Sequence, residues 1–440
     1  MTLIEPIDLA ALPSPADLGP VHFIAVGGSG MSGIAQAFAD LGVPVSGSDR
    51  TDSATLRGLR GIRTHVGHDA AQLGDARTVV VSTAIRDDNP ELVEARRRGL
   101  RVLHRSAALG ALMRGRPSIA VGGTHGKTTT SAMIVAGLLG AGVRPGYVTG
   151  APLAATGVSA DLGDPGAPFV AEADESDASF LQLPRDIAVV TNVEADHLDN
   201  WGDPAAYVAG FDAFAAPARV LIAGADDPGA AALAGRARAA GGPRVIGYGD
   251  APGAEFATVR LELAVPGAHN RANATAAAAV LGELGLGDRL AGLEAFSGTA
   301  RRFQSAGEAG GIRVVDDYAH HPTEVAATLA AARETGPRKV IAVFQPHLYS
   351  RTRDQAAGFA EALAGADHVL LLDIYPAREE PIPGVTSALI GERLPGSELV
   401  SRAAVAARIR ELAGPGDLVL TLGAGDVTEL AAPIVAELRR

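Results

Sequence analysis

A chain of 440 residues has room for about three domains, each large enough for its own core at roughly 150 residues apiece. Its 47% hydrophobic and 20% charged residues are those of a globular protein and exclude wholesale disorder; a formal charge of −12 excludes the basic surface that nucleic-acid binding requires. Cysteine is absent, which rules out a disulfide framework, a thiolate nucleophile and a cysteine metal site, and agrees with a reducing compartment.

The first twenty residues carry Glu5, Asp8 and Asp17 but no Lys or Arg, unlike the positive start of a secretory signal. The longest nearly apolar run, Ala132 to Val143, is too short to span a bilayer and directly follows a glycine-rich loop, where a buried helix is expected. The expectation is a soluble, cytoplasmic protein with neither nucleic-acid nor membrane partners.

Along the chain, apolar strand, glycine turn and helix alternate in three blocks, the pattern of an α/β architecture with mostly parallel sheets. The first block opens with the strand VHFIAV (Val21 to Val26). GGSGMSG, a helical stretch IAQAFADLG and a second strand ending at Asp49 follow. Gly28, Gly30 and Gly33 fit the G-x-G-x-x-G spacing, and Asp49 lies where an acid could reach a ribose hydroxyl. Alone, that turn fits a dinucleotide oxidoreductase using NAD(P)H, a uridine diphosphate held at the helix N-terminus, or glycines that merely permit close packing. Further on, VVVSTAI reads as a buried strand ending in the hydroxyls of Ser82 and Thr83, and His68 fits a ligand contact or an exposed loop residue equally.

The second block starts near Arg114, with strand PSIAVGG entering VGGTHGKTTT and helix KTTTSAMIVAGLLGAG leaving it. Gly126, Lys127 and Thr128 stand in the order that lets backbone N–H groups, an ammonium and a hydroxyl surround a nucleotide phosphate and its metal ion. The loop is one residue short, because the position that usually carries its first glycine is Val121 and glycine occurs at 122 and 123. Of 38 basic residues only Lys127 and Lys339 are lysines, and one sits in this loop, where a compact ammonium acts as a point charge on phosphate oxygens.

Next, PFVAEADESDASFL takes an apolar strand into the acids Glu172, Asp174, Glu175 and Asp177, a run that by itself fits a solvated face. IAVVTNVEADHLDNW then brings Asn192, Asp196, His197 and Asp199 to the end of another apolar strand. Carboxylate and imidazole at two strand ends, beside a loop threonine, suit a divalent metal on a polyphosphate; a helix cap at Asp196 and a core histidine are the alternative. The third block follows FSGTARRFQ. Its strand GIRVVDDYAHHPTEV crowds Asp316, Asp317, His320 and His321 at one end, with Pro322, Thr323 and Glu324 starting a helix. Two more strands, in KVIAVFQPHLYSRT and DLVLTLGAGD, also end in polar or glycine-rich turns.

GGSGMSGIA, GGTHGKTTT, EADESDASFL, TNVEADHLD, PGAHNRANA, RRFQ, VDDYAHHPTE and FQPHLYSRT together resemble the ordered motif set of the bacterial Mur ligases, over residues 21 to 430. The resemblance implies three domains: a Rossmann-like domain for a UDP-sugar (1–113), a central P-loop ATPase-type domain (114–304) and a Rossmann-like domain for an amino acid (305–440). Within the family the motifs are most similar to members that use ATP and Mg²⁺ to join L-alanine to UDP-N-acetylmuramate through an acyl phosphate. By the same resemblance Gly123, Thr124, His125, Gly126, Lys127, Thr128 and Thr129 hold the ATP phosphates, with Asn270, Asn273, Arg302 and Asp317 as further nucleotide contacts. Thr128, Glu172 and His197 become metal ligands. Gly28, Gly30, Asp49, His68, Ser82 and Thr83 meet the UDP-sugar; His320, His347 and Arg351 lie near the amino acid and the acyl intermediate. Many relatives carry arginine where this chain has Leu348, so the resemblance leaves that charge to Arg351 or elsewhere. The segment 249–266 also looks shorter than in many relatives.

Overall fold

The three blocks fold into three separate sheets in a computed structural model that describes residues 7–377 and 379–440. The chain forms two compact units. The first runs to Glu262 and resumes over Ala272–Phe296; the second takes Leu263–Arg271 and Ser297–Arg440.

The first unit holds two sheets. One has five parallel strands in spatial order Ile62–Val66, Val45–Asp49, Val21–Ile24, Thr78–Val81 and Arg101–His104. Strand order reverses between Val21–Ile24 and Thr78–Val81, and that switch point opens a crevice at the carboxyl ends of the strands. Asp49 ends its strand there, and the glycine turn, Ser82 and Thr83 follow strand ends. The strands stop earlier than the apolar runs imply: Val21–Ile24 ends before Ala25, whose φ is +61°, and Thr78–Val81 ends before Ser82.

The second sheet has eight strands, with the loop-bearing strand Ser118–Gly122 lying between Ile187–Val190 and Phe169–Glu172. The register places Glu172 opposite Val121 and Val190 opposite Gly122, so three strand ends meet at one level. These strands are buried almost throughout, which accounts for their continuous apolar runs in a parallel sheet covered on both faces. An aromatic cluster lies beneath this edge. Phe180 stacks on Phe214 at 4.8 Å, and Trp201 meets Tyr207 edge-on at 5.7 Å.

The second unit carries a six-stranded sheet, parallel except for the hairpin of Gln304–Ala309 with Ile312–Asp317. The first strand of that hairpin has no counterpart in the sequence reading. It is an edge strand, mostly exposed, and lacks the apolar run that marks the others. Helix Pro322–Glu334 begins where the sequence places it: the His321 side chain accepts from Thr323 N, and Pro322 occupies the first turn, where its missing N–H costs nothing. Among the described residues no helix is long and apolar enough to cross a membrane.

Candidate active site

The phosphate loop is shaped by its neighbours as well as by its own bonds. Gly123 has φ +131°, and a Cβ there would lie 2.0 Å from Thr191 Oγ1, so only glycine fits. Asn192 clamps the next turn: its carbonyl oxygens accept from Thr124 N (3.2 Å, main chain) and His125 N (2.8 Å, side chain). Thr124 Oγ1 donates to Glu194 O at 2.8 Å and lies 2.9 Å from the Tyr207 hydroxyl, which ties the loop to the aromatic cluster. The first bond of the helix ladder runs from Thr130 N to Gly126 O. The amides of Lys127, Thr128 and Thr129 therefore lie outside the ladder at the positive end of helix Lys127–Gly140, where an anion is stabilised.

Lys127 Nζ donates to Gly123 O (2.7 Å) and Thr124 O (2.9 Å) and lies 2.8 Å from Glu175 Oε2. Burial works against its charge, yet Glu175, then Asp174 and Glu172, hold the ammonium above its ordinary value. Burial pushes the Glu175 carboxyl up to about 7, against the pull of Lys127. The acidic run is thus no solvated face. Glu175 and Asp177 are buried, and the Trp201 indole donates to Glu175 O at 2.9 Å. Burial would also raise Asp174, but Arg105 at 2.8 Å and then Lys127 outweigh it and hold that carboxyl well below the usual range.

Glu172 ends its strand with Oε2 accepting from Gly150 N at 2.7 Å. Thr128 and Thr129 are buried in the first turn of the loop helix. His197 takes the left-handed conformation (φ +54°) and caps the short helix Leu198–Trp201; Asp196 accepts from its amide at 2.7 Å and lies 3.5 Å from its Nε2. Asn273 joins this group, since its Oδ1 accepts from Thr130 Oγ1 at 3.1 Å and packs against Gly126. Glu172 and Asp196, at and just beyond the ends of the two strands that flank the loop strand, and a hydroxyl on the loop helix make a donor set suited to a hard cation such as Mg²⁺.

At the first sheet's crevice, Gly28 caps helix Ser29–Asp40, and Asp49 Oδ2 accepts from Gly27 N at 3.0 Å, bracing the glycine turn. A Cβ on Gly30 would lie 3.0 Å from Arg105 Nη1. Ser82 and Thr83 are half-buried in the turn after Val81. His68 is neither loosely exposed nor isolated: its Nδ1 lies 2.9 Å from Ser48 Oγ and 3.0 Å from Glu91 Oε2. Glu91 is fully buried and also takes Ser48 Oγ at 2.5 Å and His22 Nε2 at 3.3 Å.

Burial alone would raise the Glu91 carboxyl, but hydrogen bonds from His22 and Ser48, the His22 charge and the bond from His68 hold it below its ordinary 4.5. A carboxyl lowered in the folded chain stabilises it above the unfolded value and loses that contribution as pH falls through the folded one. Glu91→Gln is therefore expected to cost about 2–3 kcal/mol at pH 7. In urea unfolding the gap from the unsubstituted chain narrows below about pH 4. An equal gap at both pH values would mean that the charge contributes nothing.

In the second unit, Asp317 is buried at the end of strand Ile312–Asp317 and accepts from Phe303 N (2.7 Å), Ala319 N (2.8 Å) and Thr328 Oγ1 (3.2 Å). Burial raises its carboxyl despite the nearby Arg302 charge. The guanidinium groups of Arg301 and Arg302 lie 4.8 and 5.1 Å from the centre of the Tyr318 ring. His320 Nδ1 faces Tyr318 O (3.1 Å) and Glu324 Oε2 (3.2 Å), and its ring meets that of His347 at 5.9 Å; His347 in turn stacks on Tyr375. Arg351 is buried in helix Tyr349–Leu363. Asn270 donates to Pro266 O at 2.6 Å, so the two asparagines of HNRAN have different partners.

Strain falls on the motifs. Of the seven described non-glycine residues with positive φ, Ala178, His197, Arg301, Phe303 and Leu348 lie inside the eight family motifs. Such conformations cost about 1–3 kcal/mol each and persist where function requires them.

A polyphosphate cradle on a parallel sheet edge, flanked by carboxylates and carried beside a Rossmann-like crevice, defines a P-loop nucleotide-using enzyme of α/β class. Residues 20–117 match the Mur ligase family catalytic domain, 121–281 the Mur ligase middle domain and 301–425 the glutamate ligase domain of Mur ligases. The chain belongs to the Mur ligase family. It is 53% identical to the UDP-N-acetylmuramate--L-alanine ligase of Cutibacterium acnes, over 100% of this chain and 99% of that one. The crystal structure of the UDP-N-acetylmuramate-alanine ligase of Thermotoga maritima superposes with a TM-score of 0.76 at 28% identity, covering 95% of this chain and 98% of that one. A murein peptide ligase from Psychrobacter arcticus shares the fold, with a TM-score of 0.69 at 24% identity over 96% and 99% of the two chains.

Proposed function

We propose that this chain joins L-alanine to the carboxylate of UDP-N-acetylmuramate, with ATP converted to ADP and phosphate, as the first peptide-adding step in peptidoglycan precursor synthesis. The observation that carries the reading is the phosphate loop with Glu172 at the adjacent strand end, in a chain 53% identical along its length to a protein of that name. The roles divide as residues 1–113 for the UDP-sugar, 114–304 for ATP and 305–440 for the amino acid.

A carboxylate is a poor electrophile for an amine in water. Transfer of the γ-phosphoryl group to the substrate carboxylate makes an acyl phosphate, with ADP leaving; the alanine amine then attacks the acyl carbon and phosphate departs. Lys127 and the first-turn amides of the loop helix neutralise the charge that moves between β- and γ-phosphates. Thr128 and Glu172 would hold one Mg²⁺ and His197 a second, supplying further neutralisation of the phosphates. Asn273 sits against the loop as a nucleotide contact, and Asn270, Arg302 and Asp317 are proposed in the same role. In the second unit we place His320, whose Nδ1 faces two oxygen acceptors, near the alanine amine, with its Nε2 toward that amine. His347 and Arg351 orient the amino acid.

The test is phosphate release with ATP, UDP-N-acetylmuramate and L-alanine omitted one at a time; all three are expected to be required. Turnover with a preformed tripeptide and none with L-alanine would replace this reading by a recycling peptide ligase. Binding of NAD(P)H with no ATP hydrolysis would replace it by an oxidoreductase. Glu172→Gln is expected to lower turnover about 100-fold at fixed Mg²⁺. Part of that loss should return as Mg²⁺ is raised; a variant with unchanged Mg²⁺ dependence would remove Glu172 from the metal site.

A further inference from the structure

Arg105 has no part in the motifs above, yet it touches both of the first unit's candidate sites. It is the first residue of helix Arg105–Met113. That helix start is fixed: His104 Nδ1 lies 2.8 Å from Ser106 Oγ, which donates to Gln182 Oε1 at 2.6 Å, and the helix is buried from Ser106 to Met113. From this anchored point the guanidinium reaches in two directions. Nη1 lies 3.0 Å from where a Cβ on Gly30 would stand, so the side chain packs against the glycine turn itself; Nη2 lies 2.8 Å from Asp174 Oδ2, one residue before the Glu175 that holds Lys127.

Stability accounts for only part of this placement. A cation at the first position of a helix sits at the positive end of the dipole, which is unfavourable. Its partner Asp174 keeps 36% of its side chain exposed, and such partly solvated pairs contribute about 1 kcal/mol or less. A ligand supplies what the fold does not. The turn at Gly28 presents another helix N-terminus, a UDP-sugar brings two phosphate charges to it, and the chain as a whole is at −12. A planar guanidinium in contact with that turn has the fork geometry to bond phosphate oxygens in pairs.

We propose that Arg105 is a binding residue for the pyrophosphate of the UDP-sugar. The inference rests on the reading of the first crevice as the UDP-sugar site.

Titration calorimetry on the full chain with UDP-N-acetylmuramate tests it. Arg105→Met is expected to bind 10- to 100-fold more weakly, about the loss of one or two charge-assisted hydrogen bonds, while the KM for ATP stays within about threefold. Arg105→Lys should recover part of the loss, because it restores charge without the fork. Asp174→Asn should leave UDP-sugar affinity within about threefold, since charge on the arginine, not the ion pair, meets the ligand. Unchanged affinity in Arg105→Met, or an equal loss in Asp174→Asn, would overturn the proposal, the second outcome assigning the arginine to the junction alone. If the unsubstituted chain itself fails to bind UDP-N-acetylmuramate, the underlying site assignment fails as well, a result distinct from either of these.

Discussion

Lys127→Ala is expected to lower phosphate release by about 10³-fold or more, while UDP-N-acetylmuramate affinity stays within a few-fold. The ammonium is the single flexible charge in the loop, held by Gly123 O, Thr124 O and Glu175 within 2.9 Å. The other lysine, Lys339, lies outside the unit that carries the loop. Arginine does not substitute, because a planar fork cannot occupy the point that three oxygens define. The substitution also strands Glu175, which is 1% exposed, and breaking a buried pair on one side costs about 3–5 kcal/mol before the carboxyl takes up a proton. Loss of activity through unfolding and loss through chemistry are therefore separable. Lys127→Ala with Glu175→Gln should regain most of the midpoint in urea and none of the turnover. A single variant that turns over within tenfold of the unsubstituted chain would remove the lysine from the chemistry.

Gly123→Ala is expected to cost about 3–5 kcal/mol of stability and about 100-fold in turnover, a large effect for one methyl group. Two causes add. The φ of +131° is outside what an L-residue adopts without strain, and the new Cβ would overlap Thr191 Oγ1 with the amides of Thr191 and Asn192 at 3.0 and 3.2 Å behind it. Thr191 cannot simply turn away, because its hydroxyl donates to His125 O at 2.6 Å and so shapes the loop. Gly99→Ala is the control. Its φ is +64° with nothing within 4 Å, so it should cost about 1 kcal/mol through backbone strain and leave turnover unchanged. Adding Thr191→Ala to Gly123→Ala should return only part of the loss, since the strain remains. If Gly123→Ala and Gly99→Ala unfold alike, the loop does not adopt this conformation.

The parallel strands were legible because burial on both faces leaves continuous apolar runs such as Ile187–Val190, and the glycine turns and the proline-led helix at Pro322 mark their own boundaries. The exposed edge strand Gln304–Ala309 was not, for it carries no such run. In the candidate site, Glu172 and the phosphate loop lie at the strand ends that their motifs mark. Residues that act by supporting a motif from elsewhere were not legible. Glu175 reads as one more acid in a charged run until its burial is seen, and Arg105 is one of 36 arginines with no spacing to distinguish it. Asn192 was read only as one of several polar residues at a strand end, whereas its two carbonyl oxygens clamp the phosphate loop. Asn270 and Asn273 lie one helical turn apart, so periodicity cannot separate them; only their partners do.

Trp201 is the chain's one tryptophan, and its indole is hydrogen-bonded to the carbonyl of the residue that grips Lys127. Intrinsic fluorescence excited at the red edge of the protein band therefore comes from one place, a single bond away from the lysine's counter-ion. Nucleotide that draws Lys127 off Glu175 should change that emission, giving a label-free optical signal for stopped-flow mixing that remains usable in variants too slow to assay by product.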